Sequence, residues 1–516
     1  MKKNIVFPIV ASLILISSCT KDLDVTPIDS KLATANNVFK TPDDYKQALA
    51  KLYTSISLSG QQGPAGQPDI AGLDEGFSNY LRLYWNCQEL STDEAVNCWA
   101  DGTIKDFHWQ TWTPNNEFIT TMFSRLYYTI SLCNEFIRTA NDNSSVQGMG
   151  LMKAEARFIR ALSYWHAIDL FGNVPFVTEA DKPGFFNPKQ VNRADLFKYI
   201  ETELLEAQND LGEPRFEYGR ADKAAAWTLL AKLYLNAKVY TGTERNTECI
   251  TYCKKVIDAG YSLAPTYSDN FMADNNTSPE IIFAFTYDFF HSTGYGGMNY
   301  IIHAQVGGSM KADSFGIASG WGGNRVTSAF VSKFPDVTGT IDTRALFHTD
   351  GQTLEITDIA NFTNGYAVTK FRNMNKDRKL PKDRGDFVNT DWPVFRLADV
   401  YLMYAEAILR GGSGATIDDA ITYVNKVRER AYKGTSGNVS TIDLQFIIDE
   451  RSRELYWEGH RRTDLIRFGQ FSKSTYVWPW KGNVAAGVST DEHLDLYPIP
   501  ASDLNSNQNL KQNPGY

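Results

Sequence analysis

The chain has 516 residues, of which 43% are hydrophobic and 22% are charged. This composition excludes wholesale disorder and allows a core of full size. A formal net charge of -9 argues against nucleic acid as a partner, because phosphate contacts need a basic surface. The chain also carries 11 Trp and 26 Tyr, whose flat rings suit ligands that present an apolar face.

The N-terminal residues carry features of an exported protein. Two lysines precede an apolar stretch at 5–16, which has the length of a signal peptide and is too short to span a bilayer. Small residues directly before Cys19 resemble the lipobox of bacterial lipoproteins, and the following TKDLD resembles a surface-export signal. The alternative is a plain secretory signal with an incidental cysteine. We predict a signal peptide at 1–18, lipidation of Cys19 and a tether at 19–40, which would anchor the protein to the outer face of the outer membrane.

Helical periodicity dominates both ends of the remaining chain. Thr41, Pro42 and two aspartates have the pattern of a capped helix start. The segment AAAWTLLAKLYLNAKVY is rich in alanine, with aromatic residues three to four positions apart, and resembles the helix pairs of tetratricopeptide (TPR) repeats. Further helices are predicted at 117–140, 150–171, 195–211, 223–240, 247–259, 397–410, 417–430 and 442–468. We therefore expect a mainly α fold with a TPR-like helical scaffold.

The region from about 262 to 395 has a different texture. Gly, Asn, Asp and Thr are frequent there, helical periodicity fades, and residues 281–285 form a short β-prone run. Long loops inside a compact protein usually carry function. Because we find no interdomain linker, we predict a single domain at 41–516 with long loops and a few short strands, in which the loop-rich region binds the ligand.

Common catalytic and nucleotide-binding motifs are absent. The sequence has no P-loop, dinucleotide glycine fingerprint, HExxH, EF-hand loop or GxSxG elbow. Its seven histidines are scattered, and His166 is expected to lie in the core. A glycosidase needs only two carboxylates, so a surface glycosidase stays an alternative. Asp93, Glu94 and Asp101 are the acids to test, although their neighbours predict helix-cap or turn roles.

Two other groups of residues are expected to be structural. The charged run at 449–469 places Glu458 four residues before Arg462 and Asp464 three before Arg467, which predicts ion pairs rather than an anion site. Five cysteines follow Cys19, an odd count without zinc-ligand spacing, so buried free thiols are expected.

Four segments, in order along the chain, resemble the SusD/RagB family. They are KAEARFIRALSYWHAIDLFGNVPFVTE at 153–179, FRLADVYLMYAEAI at 395–408, ERSRELYWEGHRRTDLIRFG at 450–469 and YPIPASDLNSNQNLKQNPGY at 497–516. The resemblance implies a TPR-like outer-membrane lipoprotein that is not an enzyme. It also implies a partner, a SusC-like TonB-dependent transporter, to which the protein presents a glycan.

Other segments resemble the starch-binding members of that family. They include GQQGPAGQPDIAGLDEG at 60–76, NCQELSTDE at 86–94 and YVWPWKG at 476–482. This resemblance implies an α-glucan ligand, held by an arc of aromatic rings with flanking hydrogen-bond donors. By local match it implies the site residues Trp99, Trp321, Tyr295, Arg82 and Asp101. One amide contact of the relatives does not carry over, because its position falls at Asp101 or Gly102 here. A second Trp of the relatives is Asn97 in this sequence.

The chemistry of sugars supports these roles independently. A pyranose ring has an apolar face of C–H groups, which suits Trp and Tyr, and rings set at angles would follow a curved α-glucan. Trp99 and Trp321 lie in polar or glycine-rich loops, whereas Trp85, Trp109 and Trp112 are expected to favour the core. The same scaffold binding another glycan or peptides stays the main alternative.

The resemblance also implies a structural calcium ion near FMADNNTSPE at 271–280. Asp274 is its candidate oxygen ligand. No cofactor is required for the predicted function.

Overall fold

The computed structural model describes residues 41–182, 184–381 and 387–516. The predicted signal peptide, Cys19 and the tether lie outside the described residues. The helices, in chain order, are α1 (Pro42–Ser57), α2 (Tyr80–Trp85), α3 (Asp106–Trp109), α4 (Glu117–Asp142), α5 (Met149–Phe171), α6 (Arg193–Ala207), α7 (Lys223–Leu235), α8 (Ala237–Thr241), α9 (Asn246–Ile257), α10 (Gly297–Ala304), α11 (Ser328–Val331), α12 (Leu397–Leu409), α13 (Ile417–Ala431), α14 (Leu444–Leu455), α15 (Arg461–Arg467) and α16 (Ala501–Ser506).

Short strands form two-stranded antiparallel pairs. Where residues 281–285 pair with residues 392–396, the register aligns Ile281 with Arg396, with irregularities near Phe283, and this pair confirms the strand predicted at 281–285. The pairs are β1 (Val96–Asn97) with β5 (Asn324–Arg325), β2 (Val174–Pro175) with β3 (Gln190–Val191), β4 (Ile281–Phe285) with β8 (Trp392–Arg396), and β6 (Phe347–His348) with β7 (Ala367–Val368).

Local capping explains where the scaffold helices begin. The Thr41 side chain accepts a hydrogen bond from the backbone N–H of Asp44, whose carboxylate in turn accepts from the Thr41 backbone N–H. Thr416 and Asp419 form the same reciprocal capping box at the start of α13. Each box satisfies two backbone N–H groups that have no partner within the helix.

The long helices pack as neighbours in series, with α4 against α5, α5 against α6, α7 against α9, and α12 against both α9 and α13. In α7, Ala224, Ala225 and Ala226 are all fully buried, so small side chains lie where neighbouring helices meet. One continuous hydrophobic core contains residues from Tyr45 to Leu510. The mainly α, TPR-like prediction is therefore confirmed.

Two predicted helices are wrong in extent. The helix predicted at 442–468 is interrupted between α14 and α15, because Trp457 and Gly459 adopt left-handed backbone conformations, with φ of 63° and 78°. The turn buries the Trp457 indole, whose Nε1–H donates to the Glu94 carbonyl oxygen at 2.9 Å. The helix predicted at 223–240 is interrupted at Asn236, whose side-chain amide donates to the Lys232 carbonyl.

The expected structural residues have buried partners. Nδ1 of His166 lies 2.7 Å from the Tyr80 hydroxyl, and its ring stacks on Tyr84, which confirms the core prediction. All five cysteines that the structure describes are free thiols, of which Cys98 is half-buried and the others are buried.

The charged run at 449–469 forms ion pairs as predicted, though not with every expected partner. Asp464 pairs with Arg467 at 2.7 Å. Glu458 pairs with Lys370 and Arg396 from outside the run, at 2.7 and 2.6 Å, in place of the expected Arg462. Helical spacing does not bring Glu458 and Arg462 together, because the interruption between α14 and α15 separates them.

The described residues between 262 and 395 lie mainly in loops, with α10, α11 and short strands among them. Of the helices in the described part of the chain, none combines the length and the apolar character needed to cross a membrane.

Candidate functional site

An open cleft of about 360 Å³ brings together all five residues that the sequence predicts for the binding site. Its walls come from segments far apart in the chain: the loop before α2, α2 itself, the segment after β1, and two loops that flank α10. The residues lining the cleft are Ala65, Asp74, Gly76, Arg82, Trp99, Asp101, Tyr295 and Trp321.

The pairing of β1 with β5 brings the segments that carry Trp99 and Trp321 side by side. Beyond the strands, the Cys98 backbone N–H donates to the Gly323 carbonyl at 3.0 Å, so Trp99 and Trp321 lie on neighbouring segments. The Trp99 Nε1–H lies 3.3 Å from the Trp321 carbonyl oxygen, to which it donates. A Cβ at position 323 would lie 2.6 Å from the Trp99 ring. Gly323 therefore allows the indole to pack directly against the backbone.

The C-terminal end of α10 supports Trp321. The Trp321 backbone N–H donates to the His303 carbonyl at 2.8 Å, and the two rings stack with centroids 4.6 Å apart. His303 Nδ1 lies 2.7 Å from the Ser319 carbonyl oxygen, so this nitrogen carries the proton. Burial lowers the pKa of His303, which keeps the imidazole beneath Trp321 neutral at physiological pH.

Tyr295 lies on the loop before α10 and is 47% exposed. Its backbone N–H donates to Oε2 of Glu75 at 3.1 Å. Burial raises the pKa of Glu75, although hydrogen bonds from backbone N–H groups of Tyr295 and Ala65 favour the carboxylate. A Cβ at position 294 would meet this carboxylate at 2.3 Å, so Gly294 lets the Tyr295 loop lie against Glu75.

Arg82 forms the floor of the cleft and is only 7% exposed. Its guanidinium lies 4.4 Å from the Tyr300 ring centroid and 5.8 Å from that of Trp99. Nη1–H donates to the Gly76 carbonyl at 3.2 Å, whereas Nε has no hydrogen-bond partner among the described residues. Burial lowers the pKa of Arg82, and the nearby Tyr300 and Asp101 act against that shift. The cleft is therefore lined by a buried cationic side chain, whose unpaired Nε is itself enclosed by the protein.

The three predicted rings form an inclined row. The centroids of Trp99 and Trp321 are 6.5 Å apart with an interplanar angle of 45°. Those of Trp321 and Tyr295 are 6.4 Å apart, with an angle of 66°. Successive rings therefore differ in orientation and do not form one flat apolar surface.

The site also contains residues that were not predicted individually from the sequence. Ala65, Asp74 and Gly76 line the cleft, and Oδ1 of Asp74 accepts a hydrogen bond from the Phe77 backbone N–H at 2.9 Å. All three belong to segment 60–76, which sequence resemblance associates with the ligand without identifying individual contacts. That resemblance was the available signal for them.

The acids considered for catalysis lie in two different environments. Asp93 and Glu94 are fully buried, where Asp93 pairs with Arg461 at 2.7 Å and Glu94 accepts a hydrogen bond from the Ser452 hydroxyl at 2.6 Å. Both residues lie in a turn, one of the roles predicted for them, but interactions distant in sequence bury their side chains. Asp101 is exposed and lines the cleft.

The other tryptophans follow the expected preference for the core only in part. Trp85 and Trp112 are buried, whereas Trp109 is half-buried.

The calcium prediction gains no support from the side chains around Asp274. Oδ1 of Asp274 accepts a hydrogen bond from the Lys376 backbone N–H at 2.9 Å. Across the described ranges, no group of three His, Cys, Asp or Glu side chains is arranged to hold a metal ion. The residues present do not form a recognisable ligand set, and calcium binding stays a prediction.

Comparison with known proteins identifies the family. A model described as "SusD family" matches residues 337–516, and one described as "Starch-binding associating with outer membrane" matches residues 76–235. The "Starch-binding protein SusD" of Bacteroides thetaiotaomicron is 36% identical, over 97% of this chain and 96% of that protein.

Solved structures share the fold. A SusD superfamily protein from Bacteroides vulgatus has a TM-score of 0.71 at 19% identity, covering 93% of this chain and all of that one. Surface glycan-binding protein A from B. thetaiotaomicron, in complex with laminarihexaose, has a TM-score of 0.68 at 21% identity, covering 92% and 100%. With its helical scaffold, its cleft and a 36% identical relative matched along nearly the whole length, the chain belongs to the SusD family of carbohydrate-binding proteins that associate with the outer membrane.

Proposed function

We propose that this protein is a non-enzymatic surface lipoprotein that captures starch-like α-glucan and presents it to a TonB-dependent transporter. The observation that carries the proposal is the inclined row of Trp99, Trp321 and Tyr295 around one open cleft. Trp and Tyr rings offer apolar faces to the C–H groups of a sugar and lose few rotatable bonds on binding.

The curvature of the row favours a curved glucan. Rings inclined by 45° and 66° cannot all lie parallel to the sugar faces of a flat, ribbon-like chain. An α-glucan that bends as it lengthens brings successive sugars against successive rings.

Arg82 would supply directional contacts. The hydroxyl oxygens of a neutral sugar can accept hydrogen bonds from a guanidinium group. Hydrogen bonds to charged groups contribute about 1.5–3 kcal/mol each, and the Arg82 side chain lines the cleft.

Two relatives suggest different glucans for comparison. The 36% identical relative is named a starch-binding protein, whereas the laminarihexaose-bound neighbour is only 21% identical. The greater identity favours α-glucan, and a laminari-oligosaccharide is the informative competitor.

The test is calorimetric titration of the full chain in a detergent without sugar groups, since a maltoside detergent would compete for the cleft. We expect saturable heat with maltoheptaose and a cyclic α-glucan, and much weaker heat with laminariheptaose. Trp99→Ala and Trp321→Ala should each reduce the α-glucan affinity by about tenfold or more.

A matched control is Trp227→Ala in α7. Trp227 is also half-buried and its Nε1–H donates to Gln208 at 2.9 Å, but it does not line the cleft. This variant should keep wild-type affinity. Tighter binding of laminariheptaose than of maltoheptaose would reject the proposed ligand, and release of reducing sugar during incubation would reject the non-enzymatic proposal.

The anchor and the partner need separate experiments. Cys19→Ala should move the protein from the membrane fraction to the soluble fraction. Affinity purification in mild detergent should recover a β-barrel transporter with the wild type. Its absence from repeated purifications of membrane-bound protein would count against the presenting role.

A further inference from the structure

Residues of helix α10 contact the rings of Trp99 and Trp321 and form a hydrogen bond to the loop of Tyr295. Tyr300 on this helix lies against Trp99, with centroids 5.9 Å apart, and His303 stacks beneath Trp321. On the same helix, the Asn299 side-chain amide donates to the Gly294 carbonyl at 2.6 Å, next to Tyr295. One short helix therefore positions the three rings of the proposed site.

The Asn299 side chain makes a second hydrogen bond, which holds the segment that follows Phe387. Its Oδ1 accepts a hydrogen bond from the Val388 backbone N–H at 3.1 Å. Val388 is buried, so the chain directly after Phe387 is fixed to α10. The same buried amide thus anchors the loop of Tyr295 and the segment of Phe387.

Phe387 continues the row of rings past Tyr295. The centroids of Tyr295 and Phe387 are 6.0 Å apart, with an interplanar angle of 51°. This spacing and inclination resemble those of the two preceding steps, 6.5 Å at 45° and 6.4 Å at 66°. The row therefore has four rings, with Trp99 at one end and Phe387 at the other.

Core packing does not account for the position of Phe387. The side chain is half-buried, and within the described residues it belongs neither to the hydrophobic core nor to the side chains packed against it. Trp99 and Trp321 do pack against that core. An aromatic ring that lies outside the core yet aligns with a ligand-facing ring has an apolar face available for a ligand.

We propose that Phe387 is a fourth stacking ring that determines preference for longer glucans. The inference rests on the proposed function, since it assigns a further contact to the same ligand. A short oligosaccharide can occupy the Trp99–Trp321–Tyr295 part of the row alone. A longer chain reaches Phe387, and the additional C–H stacking raises its affinity relative to that of the short one.

The experiment compares maltotriose with maltoheptaose by calorimetry, using the full chain and its Phe387→Ala, Phe387→Tyr and Trp99→Ala variants. We expect Phe387→Ala to weaken maltoheptaose binding by about three- to tenfold while leaving maltotriose affinity unchanged. Phe387→Tyr keeps a stacking ring and should restore the preference. Phe216→Ala removes a Phe that is 46% exposed outside the cleft and should leave both affinities unchanged.

The outcomes separate the two proposals. A wild type that binds neither sugar rejects the α-glucan function and, with it, the fourth ring. A wild type that binds both, with affinities that depend on Trp99 but are unchanged in Phe387→Ala, retains the function and rejects the fourth ring. Equal weakening of both sugars by Phe387→Ala would also reject it as a determinant of chain length.

Discussion

Two buried arginines illustrate how the helical scaffold and the cleft differ. Arg396 donates hydrogen bonds to the carboxylates of Glu280, Glu454 and Glu458. Arg82 is nearly as buried, at 7% against 1% exposed, yet its Nε has no partner within the described ranges. A buried donor without a partner costs about 1–3 kcal/mol. Unpaired nitrogens also occur in the scaffold, on Arg125, Arg160 and Arg430. What distinguishes Arg82 is therefore its place in the lining of the open cleft, beside the aromatic rings.

The charges around Arg396 form a continuous buried network. Glu454 is its centre, since it accepts hydrogen bonds from Arg344, Arg396 and Arg430. The members of this network are Glu280, Asp342, Arg344, Lys370, Arg396, Arg428, Arg430, Glu450, Arg453, Glu454 and Glu458.

The largest expected effect comes from breaking this network. Glu454→Ala leaves three guanidinium groups without a common acceptor, and removing one partner of a buried ion pair typically costs about 3–5 kcal/mol. We expect a loss of that size in the free energy of unfolding, measured by chemical denaturation. Asp258→Asn disrupts an exposed pair with Lys254 and should change stability by less than about 0.5 kcal/mol. Equal effects of the two substitutions would contradict a structural role for the network.

Acid should weaken the network before it affects the cleft. Burial raises the pKa of Glu454, but Arg430, Arg396 and Arg344 outweigh burial and lower it to about 2. A carboxyl group whose pKa is lowered by folding stabilises the protein above its unfolded value of about 4.3, and this stabilisation is lost as the pH falls through the folded pKa.

We therefore expect stability to decline mainly between pH about 4.3 and 2, measured by thermal unfolding in a pH series. Glu454→Gln should show a shallower decline over the same range, because the titrating group is gone. Glycan affinity should stay constant between pH 6 and 8, since Arg82 stays protonated and the ligand is neutral. An equal loss of stability at low pH in the wild type and in Glu454→Gln would exclude Glu454 as the group whose protonation causes it.

Gly323→Ala should alter the cleft without removing a ring. The new Cβ would lie 2.6 Å from the Trp99 indole, so the ring must move. We expect maltoheptaose affinity to fall by about tenfold, or ~1.4 kcal/mol, measured by calorimetry. Gly150→Ala is the control, because its Cβ would meet nothing within 4 Å. Unchanged affinity in Gly323→Ala would mean that the orientation of Trp99 does not govern binding.

The smallest expected effect concerns the exposed rim of the cleft. Asp101→Asn places an amide at one of the two positions, 101 or 102, where the family resemblance implies one in the relatives, and its N–H₂ group can donate to a sugar hydroxyl. We expect affinity to rise by up to about fivefold, or ~1 kcal/mol, in the same titration. Asp101→Ala should not raise it, which separates a gained donor from a lost charge. Weaker binding in the Asn variant would identify the Asp101 carboxylate itself as a ligand contact.

Much of the scaffold was predictable because its signals are local. Thr41 and Thr416 identify helix starts by capping chemistry alone, and periodicity locates α4, α5, α9 and α13 within a few residues. The interruption between α14 and α15 was not predictable, because no local signal states that Trp457 will be buried against the Glu94 carbonyl.

The site was predictable in its residue types and only partly in its geometry. The family resemblance predicted four site residues that the structure places around one cleft, namely Trp99, Tyr295, Trp321 and Arg82. It gave no indication of Phe387. The position of that ring beside Tyr295 depends on the hydrogen bond from the Val388 backbone N–H to Asn299, two residues that are 89 positions apart.

By itself the sequence determined the family, the helical character and the aromatic residue types suited to sugars, because composition, periodicity and motif are properties of short segments. Only the tertiary structure decided the inclination of the rings, the incomplete pairing of Arg82 and the burial of Asp93 and Glu94. These features arise from contacts such as Trp99 with Gly323 and Asp93 with Arg461, between residues more than 200 positions apart. Such contacts form when the core packs, so no local pattern encodes them.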